Sequence, residues 1–523
     1  GTNTDAAILN AVTREVLASH KAPTTPDVSS GIVSALEAAL KSASVAASDL
    51  GMLCIGTTAF LNAVVQRRRL SKVAVIRLGA PATLALPPTI GWSPDLRAAV
   101  IHDAVPPVVL PGGYEFDGRE IAAVDLDAVR AAVRHALSHG VHQFAISGVF
   151  SPMKVDQEEA AGAVVAEEAA AAGVSGVSLT LSHTLGSLSL LERENSTVVN
   201  AALRPLAQVT VAGLWRAVTA MGCAVPTYLT QNDGTLMSLE LARTMPVLTF
   251  ASGATNSMRG SAFLTGLKDA IIVDIGGTTT DVGLLQGGMV RTSGLDVELD
   301  PGVFTSFRMP LTLSIGLGGG SLVHVDDGGG AVGVGPTSVG YRLTSEARVF
   351  GGSTLVASDI AVRAGLADMG DASAVADVPD GVVSAALEAM RAAVEAVTTK
   401  IKTSPEPLPV VVVGGGAVLL PPGVTLEGVS HVVHHEHAGV ANAIGAAISQ
   451  VSGSVSRMVT FKAGETEEDR VAAAQAEAVA AAVAAGALES SVEVVASSHV
   501  VVPYLPGGVA KVEVKAVGDL RPD

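Results

Sequence analysis

Residues 274–281, Asp274-Ile275-Gly276-Gly277-Thr278-Thr279-Thr280-Asp281, set a carboxylate, two glycines, three hydroxyls and a second carboxylate in a row. These residue types suit a phosphate chain with a divalent cation. Glycines let backbone approach an anion and expose N–H groups to it. Threonine hydroxyls add donors, and a carboxylate can hold Mg²⁺ through water. Residues 270–273 ahead are apolar and predict a buried strand, and 278–285 predict its return partner. The expected unit is a hairpin whose tip carries the phosphate contacts Gly276, Gly277, Thr278, Thr279 and Thr280. Asp274 is expected to organise Mg²⁺ or the attacking group. Asp281 either shares that work or only fixes the hairpin.

An ordinary hairpin that uses threonine for its β-propensity would look the same. A repeat favours the phosphate reading. Gly1-Thr2-Asn3-Thr4-Asp5 echoes Gly277-Thr278-Thr279-Thr280-Asp281 with four identities in five positions. A repeat this distant suits two similar half-molecules facing each other rather than a solenoid. Gly1, Thr2, Asn3 and Thr4 are therefore expected phosphate contacts, and Asp5 takes the part of Asp281. By the same repeat, a strand ending in an acid is expected ahead of Gly1.

Other segments carry weaker signals. Gly414-Gly415-Gly416 follows a β-branched run and offers a flat surface for a nucleobase and ribose. The small-residue stretch 438–451, with Asn442, reads as a helix packed on the same site. Gly318-Gly319-Gly320 is an anion-nest candidate, or a plain loop between strands. Gly56-Thr57-Thr58 adds hydroxyls or caps a helix. Glu192-Arg193-Glu194-Asn195 faces a substrate or forms a salt-bridged helix start, and His183 carries a proton or is structural. His431, His434, His435 and His437 with Glu436 are ample metal ligands, yet they lead into the closing helix and read as a loop.

In this order the segments resemble the two phosphate hairpins and adenosine turn of the actin/sugar-kinase/heat-shock ATPase superfamily. Within it, the chain is similar to the hydantoinase A/oxoprolinase family over nearly its full length. The carrying stretches include Ser182-His183, 192–201, Asp233-Gly234-Thr235, Ser252-Gly253-Ala254, Arg259-Gly260, 274–281, 316–321 and 441–445. The resemblance implies α/β architecture: duplicated actin-like ATPase (ribonuclease H-like) lobes with a small C-terminal α+β appendage. It implies ATP and Mg²⁺ as cofactors, with Asp274 as the metal-side carboxylate. The implied activity is ATP-dependent opening of a cyclic amide, a hydantoin or 5-oxoproline-like lactam, by a chain working with a second hydantoinase/oxoprolinase-type subunit. Relatives serve ketone carboxylases, so an ATP-binding carboxylase subunit is the chemical rival. A nucleotide-gated binding protein without turnover is the rival from another class.

The elements that must position these residues alternate helix and strand. Helices are expected over 26–47, 126–138 and 156–172, with strands over 73–78 and 142–149. Thr466, with Asp469 three residues on, caps an Ala-rich helix ending near Gly486, and strands follow over 492–495, 499–502 and 511–517. The expected divisions are 1–183 for the first lobe, 184–454 for the ATPase lobe and 455–523 for the appendage.

Composition bounds the rest. The 523 residues carry 33 Lys+Arg against 50 Asp+Glu, a net charge of −17. That balance excludes a nucleic-acid partner, which needs a basic face. Mean hydropathy is +0.46, but Gly, Pro or charge interrupts every long apolar run, so no membrane span is expected. Two cysteines exclude a disulfide framework, and no signal peptide is visible. A cytoplasmic location is expected, and a homo-oligomer is compatible with these features.

Overall fold

The computed structural model describes residues 3–521 apart from 24–27, 187, 224, 294–296, 327–331, 461–463, 465 and 502–508, with backbone alone at 3, 23, 28–30 and 460. Gly1 and Thr2 lie outside the described residues, as does the Asn3 side chain.

The sheet that carries the second hairpin has six strands. Its path is Met289–Val290, Thr280–Gln286, Ala270–Ile275, Leu408–Val413 and Val429–His434, with Thr312–Ile315 also paired to Thr280–Gln286. The central strands Ala270–Ile275 and Leu408–Val413 run parallel. Both are apolar along most of their length, as strands covered on both faces must be. Ile271 and Val273 pack with Met390, Val394 and Val397 of helix Asp380–Ile401. Ile272 packs on the opposite side with Met258 of helix Ser252–Thr265. The period of two then delivers Asp274 to the Ile272 side, at the strand's carboxyl end.

The N-terminal region repeats the layering. Four parallel strands run in the order Val108–Pro111, Val73–Ala80, Gln143–Gly148, Ser178–Leu181. Helices Leu126–Ser138 and Asp156–Ala171 cover one face and helix Leu190–Ala220 covers the other. Strands Asn3–Leu9 and Val16–Pro23 form an antiparallel pair against helix Val28–Ala43.

A third sheet runs Glu493–Val501, Val509–Gly518, Val451–Thr460, Leu236–Ser238, Thr227–Thr230, Leu53–Ile55. Strand Val451–Thr460 crosses the boundary expected at 455, because Val451 pairs with both Gly518 and Leu236. The last seventy residues thus complete a sheet begun near residue 53. Thr466 and Asp469 cap helix Glu467–Ala484 reciprocally, and Ala474, Ala478 and Ala482 pack it on that sheet.

Three segments differ from expectation. The histidine-rich run is mainly an edge strand, Val429–His434, drawn into the sheet by parallel pairing with Leu408–Val413. The expected 438–451 helix is a 3₁₀ turn, Ala438–Val440, and a short helix, Ala441–Ala447, because Val451 is claimed by the sheet. The strands expected over 492–495 and 499–502 are one, Glu493–Val501, with a register shift between Val494 and Ala496. Among the described residues, no helix is long and apolar enough to cross a membrane.

Candidate functional site

The second hairpin forms, with its return strand beginning at Thr280, two residues later than expected. Asp274 pairs with Asp281 and Ile275 with Thr280, leaving Gly276-Gly277-Thr278-Thr279 as the tip. The tip is closed by the Gly276 N–H donating to the Thr279 carbonyl at 2.8 Å. The N–H groups of Gly277, Thr278 and Thr279 donate to no acceptor among the described residues, and Thr278 and Thr279 are exposed. Three free N–H groups and two free hydroxyls are donors of the kind an anion requires. Thr280 is different: it is fully buried, and its hydroxyl donates to the Leu317 carbonyl at 2.7 Å.

Two other glycine segments converge on this hairpin with unlike tasks. Gly414 follows the parallel strand whose Val413 lies beside Asp274. It has φ +88°, and a Cβ there would overlap Asp274 Oδ1 and the Ile275 carbonyl, so only glycine fits. Gly416 N–H donates to the Ile275 carbonyl at 2.7 Å, which locks the turn onto the hairpin. Gly415 is exposed between them. Gly318–Gly320 brace the tip instead of presenting a nest. Gly318 N–H goes to Ser321 Oγ at 2.9 Å, Gly319 N–H to the Gly276 carbonyl at 3.0 Å and Gly320 N–H to the Gly277 carbonyl at 2.7 Å. A Cβ at Gly318 would stand 2.6 Å from Thr278 N.

The first hairpin reaches the same place through Asp5. Strand alternation puts Thr4 on the face with Ala6 and Ile8, which pack on Leu36, Ala39 and Leu40. Asp5 takes the other face, opposite Lys21 in the register, and Lys21 Nζ meets Asp5 Oδ1 at 2.6 Å. Of the repeated residues, Thr4 and Asp5 have described side chains, and these two follow their counterparts. Thr4 and Thr280 each turn toward their own lobe's core, while Asp5 and Asp281 turn toward Asp274.

Electrostatics register that convergence. Burial pushes the Asp274 carboxyl up to about 6, and the charges of Asp281 and Asp5 push the same way; the Ser257 hydrogen bond and Lys21 oppose them. Burial also raises Asp281, against the Ser314 hydroxyl. These carboxylates do not close into a metal-holding group among the described residues; what they share is a field that disfavours a further negative charge at Asp274.

The scaffold behind Asp274 is a close helix crossing. Helices Ser252–Thr265 and Ala441–Ala447 meet backbone to backbone, for a Cβ at Gly260 would overlap the Ala441 carbonyl and one at Gly445 the Asn256 carbonyl. This seats Ser257 on Asp274. Asn442 Nδ2 donates to the Gly253 carbonyl at 2.9 Å and lies 3.5 Å from Ser257 Oγ. Thr58 stands beside Gly253, and no cap hydrogen bond from its side chain is present.

The 192–195 cluster lies elsewhere, as a buried network at the carboxyl ends of the four parallel strands. Arg77 and Glu194 pair twice, at 2.7 and 2.5 Å, and both are buried. Glu158 accepts from Ser151, Ser182 and His183 Nδ1, the last at 2.7 Å. Burial alone would raise Glu158, but His183, Arg193 and the two serines hold it below the usual carboxylate range. Among the described residues no metal-holding group of His, Cys, Asp and Glu forms, the histidine-rich run included.

Sequence reasoning missed Lys21 and Ser257. Lys21 sits on a strand of weak β character, Val16–Pro23, so its register with Asp5 had no local signal. Ser257 is an ordinary helical serine until the glycine crossing brings it to Asp274.

Comparison with known proteins gives the context. Residues 1–169 match the model for the hydantoinase/oxoprolinase N-terminal region, and residues 193–371 and 355–455 match the hydantoinase/oxoprolinase model. The chain is 26% identical over 341 residues to the acetophenone carboxylase gamma subunit of Aromatoleum aromaticum, covering 61% of this chain and 46% of that one. It is also 26% identical over 339 residues to caprolactamase subunit alpha of Pseudomonas jessenii, covering 61% and 47%. It thus spans about half the length of these curated relatives. The crystal structure of the ATP-dependent caprolactamase from Pseudomonas jessenii superposes with a TM-score of 0.74 at 19% identity, over 100% of this chain and 87% of that one. The chain accordingly shares the α/β fold of that structure. With both family models matched across most of its length, the chain belongs to the hydantoinase/oxoprolinase family.

Proposed function

We propose that this chain is the nucleotide-binding component of an ATP-dependent enzyme that phosphorylates a carbonyl oxygen, with a cyclic amide (a hydantoin or lactam) as substrate. One observation carries the reading: Asp5 and Lys21 of one hairpin face Asp274 of the other, beside the free N–H groups of Gly277, Thr278 and Thr279.

An amide C–N bond resists water because of resonance. Transfer of the γ-phosphoryl group to the ring carbonyl oxygen makes the carbon electrophilic. Water then adds there, the C–N bond breaks, and nitrogen takes up a proton. A second water releases the phosphoryl group as phosphate, so one ATP and two waters are consumed for each ring opened. Most of the work is positioning and charge stabilisation. The N–H groups at the tip and the hydroxyls of Thr278 and Thr279 donate to phosphate oxygens. The Gly414–Gly416 turn takes the nucleoside. Asp274 would hold Mg²⁺, with Asp5 and Asp281 acting through water, and the ion would supply charge neutralisation there. A second subunit, as the relatives' names have it, completes the working enzyme.

The carboxylase relative is as similar as the lactamase relative, which sustains a second reading, phosphorylation of a ketone enol ahead of carboxylation. ADP release measured with a panel of lactams and hydantoins, and separately with ketones plus bicarbonate, decides between them. Stimulation by ketone and bicarbonate alone would overturn the amide reading.

A further inference from the structure

We infer that Lys21 is the residue that neutralises the nucleotide's phosphate chain, exchanging its ion pair with Asp5 for phosphate oxygens when nucleotide binds. This rests on the reading of the cleft as an ATP site. Three features carry it.

The first is place. Lys21 Nζ lies 3.7 Å from where a Cβ on Gly415 would stand. One side chain thereby reaches from the first hairpin to the glycine turn beside the second, across the ground a phosphate chain must cover. The second is freedom. Lys21 is about one third exposed, and its ion pair is with Asp5, itself a carboxylate turned toward a cation site. A divalent ion held near Asp5 would compete with Lys21 for that carboxylate and leave the ammonium group available to an anion. The third is charge. Asp5, Asp274 and Asp281 bring three negative charges to the cleft, and a triphosphate brings about four more, against two from a divalent ion. Phosphoryl transfer requires that excess to be met by fixed positive charge, and a lysine ammonium serves as such a point charge.

The test uses the full chain and MgATP, with affinity read by calorimetry. Lys21→Met should weaken binding at least 30-fold, and Lys21→Arg should recover most of it. The variant pair separates phosphate binding from mere pairing with Asp5. If Lys21 served only as the partner of Asp5, Lys21→Met would cost nothing further once Asp5 is neutral, and Asp5→Asn/Lys21→Met would bind MgATP like Asp5→Asn alone. The inference expects the double variant to bind at least tenfold more weakly than Asp5→Asn. Affinity of Lys21→Met within threefold of the unaltered chain, or a double variant within threefold of Asp5→Asn, overturns the inference and leaves the ATP reading standing. Failure of the unaltered chain to bind MgATP needs no variant to observe; it overturns the ATP reading and this inference together. If Lys21→Met does not fold by circular dichroism, Lys21→Gln carries the same comparison.

Discussion

Asp274 is held in a costly state, and replacing it should make the protein more stable while removing its activity. Its carboxyl is pushed from 3.8 up to about 6 by burial and by Asp281 and Asp5. The folded chain therefore binds the proton more tightly than the unfolded chain does. Below pH 3.8 the group is protonated in both states and costs nothing. As pH rises through 3.8 to 6 the unfolded state gains from ionising and the folded state does not, so stability is lost; above pH 6 the loss is complete. Two units at about 1.4 kcal/mol each give roughly 3 kcal/mol at pH 7.5. Asp274→Asn keeps an acceptor for Ser257 and removes the charge. In the absence of Mg²⁺ and nucleotide, its denaturation midpoint should exceed that of the unaltered chain at pH 7.5, and the two should converge near pH 4. Mg²⁺ should narrow the gap at pH 7.5 by stabilising only the chain with the carboxylate. ATP turnover should fall by at least 10³-fold. An Asn variant less stable than the original at pH 7.5, or one that keeps turnover within threefold, would refute the reasoning.

Gly414→Ala should cost about 2–4 kcal/mol in denaturant unfolding, since it combines a positive φ with overlap on Asp274 and Ile275; Gly415→Ala, in open space next to Lys21, should leave stability within about 0.5 kcal/mol. Gly445→Ala forces apart the two helices that seat Ser257, and should lower the thermal midpoint and nucleotide affinity together. Glu194→Gln leaves Arg77 buried without its charge partner and should destabilise by about 3–5 kcal/mol, measured by urea titration. Thr280→Val should cost about 1–2 kcal/mol of stability with nucleotide affinity changed less than threefold, whereas Thr278→Ala with Thr279→Ala should weaken MgATP binding more than tenfold; the reverse ranking in calorimetry would show that the buried hydroxyl, not the tip, meets the ligand.

Much of the site was legible because its pieces are local. A strand, a glycine pair and a hydroxyl row are contiguous at 270–281, and the repeat at residue 1 needs no structure to see. The Gly414 turn was readable for the same reason. What was hidden depended on where side chains point and which donors are already engaged. Gly318–Gly320 look like an anion nest in sequence, but their N–H groups are consumed by the hairpin carbonyls and by Ser321. Thr280 looks like its neighbours, yet strand alternation buries it. Asp5 and Asp281 could not be ranked until the fold let both charges act on Asp274, Asp281 through its register with Asp274 and Asp5 from a separate strand pair. The helix–strand rhythm announced parallel sheets flanked by helices and the family resemblance supplied the duplicated lobes, whereas the sheet joining Leu53–Ile55 to Val509–Gly518 is a long-range pairing that no local pattern announces.

A crystal structure of the chain soaked with Mg²⁺ and a non-hydrolysable ATP analogue would test the central claim most directly. The triphosphate should lie between Asp5 and Lys21 on one side and Asp274 with the Gly277–Thr279 backbone on the other, touching both hairpins. Nucleotide held by one hairpin alone, or bound away from Asp274, would contradict it.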